Sequence, residues 1–245
     1  YADEFTYYGG VGNLEINFYN NTVLSTNPVF QELWNVSYNQ IYGANALLEG
    51  VQNSTSLSTL DKNQLRGEAL FIRALVHFYL INTFGGIPYI TGTNYEINRL
   101  VTRLPIAEVY QYIISDLKEA SGLLAESYTG ADRTRPNRSA VQALLARVFL
   151  YNGSWQEASN SASAVLNNPL YKWEENLDKV FLKDSGTTIW QFMPKATGRN
   201  TDEGSAFIFI AGPPPFVALN SSFVNSFEPT DLRKVHWVGS VTQGT

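Results

Sequence analysis

Residues 66–88 read RGEALFIRALVHFYLINTFGGIP, a run long enough for about five or six helical turns that stops at two glycines, an isoleucine and a proline. Leu65, Ala69, Ile72, Val76 and Tyr79 recur at steps of four and three, while Phe71, Leu75 and Phe78 line a neighbouring face. Two apolar faces on one helix must both be covered. Such a helix belongs at the centre of an all-helical packing, and the rest of the chain has to supply its neighbours.

Those neighbours are visible on both sides. From Pro28, PVFQELWNVSYNQIYGANALLEGV carries Phe30, Leu33, Ser37, Ile41, Ala44 and Leu48 along one stripe. The polar stretch QNSTSLSTLD follows, with Asp61 placed as the N-cap of the central helix, and Gly85, Gly86 and Pro88 end that helix. Pro105 opens a further helix, where its missing N–H costs nothing, with Ile106, Val109, Ile113, Leu117, Ala120 and Leu124 as its stripe. A fourth begins near Ser139 with Val141, Leu144, Val148 and Tyr151 on one face and Gly153 after its end. Ser154 and Glu157 have the spacing of a capping box for a fifth helix, whose apolar face is Trp155, Ala158, Ala162 and Val165. Helices at 61–84 with 105–126, and the short-turned pair across 139–168, are thus predicted as helical pairs. The second pair has the grammar of a tetratricopeptide-type hairpin, a unit whose arrays expose concave binding surfaces.

Past residue 168 the helical period fades. TTIWQFMP and SAFIFIAG read as short strand-like runs, AGPPPF as a rigid polyproline-type segment, and NSSFVNSFE as a last short helix before Pro229.

Composition narrows the function classes. The 245 residues are 44% hydrophobic and carry a net charge of -5 with scattered Lys and Arg, which argues against a disordered chain and against nucleic acid as a partner. With no cysteine and two distant histidines, thiolate chemistry and a metal cluster of ordinary spacing are excluded, and no cofactor is implied. No nucleophile elbow, phosphate loop or dinucleotide fingerprint is present. The aromatic load is high, with 14 Tyr, 14 Phe and 5 Trp against 16% charged residues, a balance suited to neutral polar ligands once the core has taken its share. The start at Tyr1, without an initiator methionine or signal pattern, and the abrupt finish HWVGSVTQGT point to a piece of a longer chain.

Three segments taken together resemble the SusD/RagB family of nutrient-binding outer-membrane lipoproteins of Bacteroidetes. GEALFIRALVHFYLINTFGGIPYI is similar to the family's central helix through Glu68, Arg73, Ala74, Phe78, Leu80, Gly85 and Pro88. RPNRSAVQALLARVFLYNGSWQEASNSASAVL is similar to its tetratricopeptide-like hairpin, and NSFEPTDLRKVHW to the element that follows, in the same order. The resemblance implies a mainly α fold, a SusD-like right-handed helical array with tetratricopeptide-like hairpins plus irregular loops and short strands. Residues 1–245 would be its N-terminal and middle part, with 169–245 the start of an irregular ligand-binding region. It implies a non-catalytic protein that captures a glycan or other small nutrient and delivers it to a SusC-like TonB-dependent transporter. The location would be the outer surface of the outer membrane, through a lipid anchor lying outside these 245 residues.

In the family, part of the ligand surface comes from the segment before the first long helix, here YADEFTYYGGVGNLEINFYNNT, expected to be loop-like. Asp3, Tyr7, Tyr8, Tyr19 and Asn20 are the candidate ligand-binding residues, with packing of the loop as the alternative use of their rings. Glu68 and Arg73 are expected to be structural, as a buried ion pair tying helices together, and His77 a hydrogen-bonded core residue. His236 stands alone in the sequence. Two competing readings remain: a tetratricopeptide-like scaffold binding protein or peptide, and a hydrolase using two of the 22 acidic residues.

Overall fold

A computed structural model describes residues 3–10 and 12–241, so Tyr1 and the last four residues of the finish discussed above lie outside it. In chain order the elements are β1 (Phe5–Tyr7), α1 (Ile16–Tyr19), α2 (Pro28–Asn53), α3 (Thr59–Phe84), α4 (Tyr95–Asn98) and α5 (Ile106–Leu123). They continue with α6 (Arg138–Tyr151), α7 (Trp155–Leu166), α8 (Asp202–Phe207), β2 (Val217–Leu219), α9 (Ser221–Ser226) and α10 (Leu232–Trp237). The fold is mainly α, and none of its described helices is long and apolar enough to cross a membrane. The chain divides into two compact units. One comprises residues 31–172 and 189–191; the other comprises the described parts of 1–30, 173–188 and 192–245.

The central helix of the sequence is α3, in the first of these units. No residue from Lys62 to Phe78 is exposed. Its buried set, including Leu70, Phe71, Ala74, Phe78 and Leu80, packs against Val109, Ile113 and Leu117 of α5 and against Val141, Leu145 and Val148 of α6. Each large side chain removed from water in this way stabilises by about 1.5–3 kcal/mol. Gly67 lets α3 come close to the end of α5, since a Cβ there would stand 2.7 Å from Leu124 Cγ. Tyr79, placed above on a covered stripe, is instead 58% exposed, and its hydroxyl end makes that tolerable.

Capping decides the ends, and it corrects two expectations. The N-cap of α3 is Ser58, not Asp61: Ser58 Oγ accepts from the Asp61 N–H at 3.1 Å and donates to Asp61 Oδ2 at 2.7 Å. Three residues earlier, serine satisfies a first-turn donor and leaves Asp61 inside that turn, where the helix dipole favours a carboxylate. At the other end Gly85 takes φ +70° and its N–H reaches Ile81 O. Ser154 starts α7 but makes no side-chain cap; its Oγ faces Asn152 Nδ2 at 3.3 Å across the tight Asn152–Gly153 turn, so no capping box forms. Trp155 is 66% exposed and leaves the α6–α7 interface to Ala158, Ser161 and Val165 on the α7 side.

Residues 189–191 lie beside 132–134, with Trp190 Nε1 donating to Thr134 O at 2.9 Å and Gln191 N–H to Arg133 O at 3.2 Å. They are too few to make the strand expected of TTIWQFMP.

In the second unit β1 and β2 pair antiparallel in the register Phe5↔Leu219, Thr6↔Ala218 and Tyr7↔Val217. The expected N-terminal loop thus contains a strand and a one-turn helix, α1. Asn220 caps α9 through Oδ1 on the Phe223 N–H at 2.7 Å, and Asp231 caps α10 through Oδ1 on the Arg233 N–H at 2.9 Å. SAFIFIAG is not a strand: its first three residues lie in α8, because Thr201 caps the Gly204 N–H and Asp202 and Glu203 follow in the first turn. That start signal outweighs the β preference of the aromatic residues. AGPPPF is a series of bends, not an extended rod.

Candidate functional site

The five sequence candidates lie in the unit that holds the sheet. Tyr7 belongs to β1 and Tyr19 closes α1, and their rings stack at 6.1 Å between centroids. Among the described residues the Tyr7 hydroxyl is buried without a hydrogen-bond partner. Tyr8, 52% exposed, lines a hollow of about 760 Å3 with Phe5, Phe207, Val224 and Trp237. Asp3 and Asn20 are exposed and belong to neither feature, and the Asp3 carbonyl accepts from Asn220 Nδ2. The structure therefore brings the rings of Tyr7 and Tyr19 together, while Tyr8, beside Tyr7 in the chain, lines the hollow. His236 is not alone, since Nδ1 stands 2.8 Å from Asp178 Oδ1, while the adjacent Trp237 donates to Leu177 O.

A groove of about 410 Å3 opens on the helical unit, and the sequence reading overlooked it. One wall is α2, where Trp34, Tyr38 and Tyr42 follow one another every fourth residue beside the buried stripe of Ser37, Ile41, Ala44 and Leu48. Pro88, Ile90, Asn98 and Val101 form the other side, and Asn39 completes the lining. Trp34 is held on several sides: Phe84 meets it edge-on at 5.2 Å, Tyr38 lies 4.8 Å away, and the Arg103 guanidinium sits 5.3 Å above the ring. Arg103 is fixed in turn by donation to Gly86 O at 2.6 Å. Tyr38 donates to Pro88 O at 2.8 Å, and burial raises its hydroxyl pKa above the ordinary tyrosine value, so it stays a donor at neutral pH. Tyr42 is 56% exposed and presents its ring to the groove.

None of the eight residues lining this groove is charged. Aromatic faces with two carboxamides suit the C–H faces and hydroxyls of a neutral polyhydroxylated ligand.

Behind the groove lies a buried polar network. Arg73 on α3 meets Asp116 on α5 through two 2.7 Å bonds, Nε to Oδ2 and Nη2 to Oδ1. Burial opposes the Arg73 charge, but the bonds to Asp116 raise its pKa. Tyr89 donates to Asp116 Oδ2 at 2.6 Å and stacks on His77 at 3.9 Å. Its own pKa is driven up by burial first and by the Asp116 charge second.

His77 Nδ1 lies 2.8 Å from Arg73 O, which can only accept, so the proton is on Nδ1 and Nε2 receives the Ile90 N–H. Burial lowers the His77 pKa to about 3, and this neutral core histidine is the one the sequence led us to expect. Glu68 and Arg73 do not pair with each other: Glu68 takes Arg135 at 2.7 Å and Arg73 takes Asp116. Positions 68 and 73 are five residues apart on α3, which turns their side chains toward different neighbours. Among the described residues no cluster of three or more His, Asp or Glu side chains could hold a metal.

Comparison with known proteins places this geometry in context. A family model for SusD-like proteins, described as starch-binding and associating with the outer membrane, matches residues 11–150. "SusD-like protein P2" of Formosa agariphila is 31% identical over 159 residues, 63% of this chain and 30% of that protein. The crystal structure of a SusD superfamily protein from Parabacteroides distasonis superposes with a TM-score of 0.83 at 26% identity, over 94% of this chain and 53% of that one. A laminarin-binding SusD-like protein aligns with a TM-score of 0.62 at 28% identity, over 67% of this chain and 37% of that one. The chain thus spans about 30% of the length of the curated relatives it matches.

Proposed function

The chain belongs to the SusD-like family, and on that premise we propose that it is a non-catalytic glycan-binding component of a nutrient-uptake system on the outer surface of the outer membrane. It captures a neutral oligosaccharide and delivers it to a SusC-like TonB-dependent transporter, held near that partner by a lipid anchor. The observation that carries this reading is the uncharged groove of Trp34, Tyr38, Tyr42, Asn39 and Asn98, whose groups match sugar faces and hydroxyls. A related protein described as laminarin-binding supports the same ligand class. Asp3, Tyr7, Tyr8, Tyr19 and Asn20 are proposed as a second set of ligand contacts, resting on the family resemblance and on the exposure of Asp3, Tyr8, Tyr19 and Asn20.

Calorimetric titration of the full-length protein against a panel of neutral and acidic oligosaccharides tests this. Binding of a neutral glycan that weakens about threefold to tenfold in Tyr42→Ala is expected, as for loss of one aromatic contact. No binding across the panel, or preference for an acidic glycan, would overturn the reading.

A further inference from the structure

Pro88 and Ile90 form a wall of the groove, and the backbone from Pro88 to Thr93 that carries them belongs to no strand or helix. Side chains take that place. Tyr38 binds Pro88 O at 2.8 Å, His77 Nε2 receives the Ile90 N–H at 3.4 Å, and Asn98 Nδ2 donates to Gly92 O at 2.9 Å. Beyond them Glu49 accepts from the Thr93 N–H at 2.8 Å and from its hydroxyl at 2.7 Å. A backbone held this way keeps its shape only as long as those side chains keep theirs.

Asn45 joins the wall to the core. It is fully buried on α2, its Nδ2 donates to Ile90 O at 3.0 Å and lies 3.4 Å from Gly92 O, and its Oδ1 accepts from Arg73 Nη1 at 2.8 Å. Arg73 is oriented by both oxygens of Asp116. The amide is therefore locked: one end must face a guanidinium, which only donates, so the other end must face the two carbonyls.

We infer that Asn45 is a positioning residue for the groove, presetting the wall at residues 88–92 for ligand through its carboxamide and the Arg73–Asp116 pair behind it. The inference rests on the glycan-binding reading for its consequence on affinity, but its structural half stands without any ligand. A preset wall is not ordered at the moment of binding, and affinity gains by the ordering that is avoided.

Asn45→Asp separates this role from a plain packing role. Aspartate keeps an acceptor for Arg73 but has no N–H for Ile90 O and Gly92 O, and it sets a carboxylate against two carbonyls. Hydrogen exchange of the backbone amides from Ile90 to Thr93 is read in the full-length protein, together with affinity for the neutral glycan found with the wild type. Expected is at least tenfold faster exchange at those amides and at least fivefold weaker binding. Asn137→Ala, which removes the buried cap of α6, lowers stability without changing either readout.

If Asn45→Asp fails to fold, Asn98→Ala, at a partly exposed position of the same wall, is read by exchange alone, because Asn98 itself lines the groove, and should speed exchange at Ile90–Thr93 by a smaller factor. Wild-type exchange at Ile90–Thr93 in Asn45→Asp, or in Asn98→Ala when that variant stands in for it, overturns the inference. Faster exchange in a protein that binds no glycan would sustain the positioning and remove only the assigned ligand.

Discussion

Every buried hydrophobic side chain among the described residues lies between Ile41 and Val165, inside the helical unit. Among the described residues of the unit that carries the small sheet, only Asn27 and Ser185 are buried. The helical unit is held by interdigitated side chains on long periodic helices. The sheet unit is held by caps, ring pairs such as Phe181 with Trp237 at 5.0 Å, and links between backbone and side chain such as Trp237 Nε1 to Leu177 O. The difference teaches that one chain contains two kinds of stability, one carried by volume and one carried by local geometry, and substitutions should separate them.

The largest effect is expected at the ion pair inside the helical unit. Asp116→Ala leaves Arg73 buried and unpaired and should cost about 3–5 kcal/mol, read by urea unfolding. Phe71→Ala, at 2% exposure, should cost a similar ~3–5 kcal/mol, whereas Ile210→Ala, at 97% exposure in the other unit, should stay within about 0.5 kcal/mol. Equal losses for these two would end the comparison.

His77 sharpens it through pH. Its folded pKa is lowered to about 3 from 6.5, chiefly by burial, so below 6.5 the unfolded chain takes up a proton that the folded chain refuses. Stability from this group is complete above pH 6.5 and is lost as pH falls toward 3, at about 1.4 kcal/mol per pH unit. His77→Gln should remove that slope, and an unchanged slope would move the titration to other groups. The smallest effect, about 1 kcal/mol, is expected from Ser58→Ala, which removes the cap of α3 without touching its packing.

The helical unit was legible because its signals are periodic and redundant. Ile41, Ala44 and Leu48, then Val109, Ile113 and Leu117, then Val141, Leu144 and Val148 all appear at helical spacing and are all buried. Individual caps were less legible, since QNSTSLSTLD offers several serines and an aspartate and only three-dimensional geometry selects Ser58. Half of the groove could have been read: Trp34, Tyr38 and Tyr42 recur every fourth residue, but the apolar stripe beside them drew the assignment to burial.

The other half could not, because Pro88 and Ile90 are tied to α2 through long-range bonds such as Tyr38 to Pro88 O and Asn45 to Ile90 O, the latter 45 residues apart. In the sheet unit, SAFIFIAG misled through composition while its start signal sat just upstream at Thr201 and Asp202.

The pairing of β1 with β2 also has a consequence during synthesis. Asn220 reaches back to the Asp3 carbonyl across 217 residues, so at roughly 5–20 residues per second the first strand emerges on the order of 10–40 s before its partner exists. Over that interval residues 31–172 can already collapse into helices while Phe5–Tyr7 remains an open edge available to a neighbouring nascent chain. Changes at Val217–Leu219 should therefore register first as soluble yield in the cell, well before any effect on the purified protein.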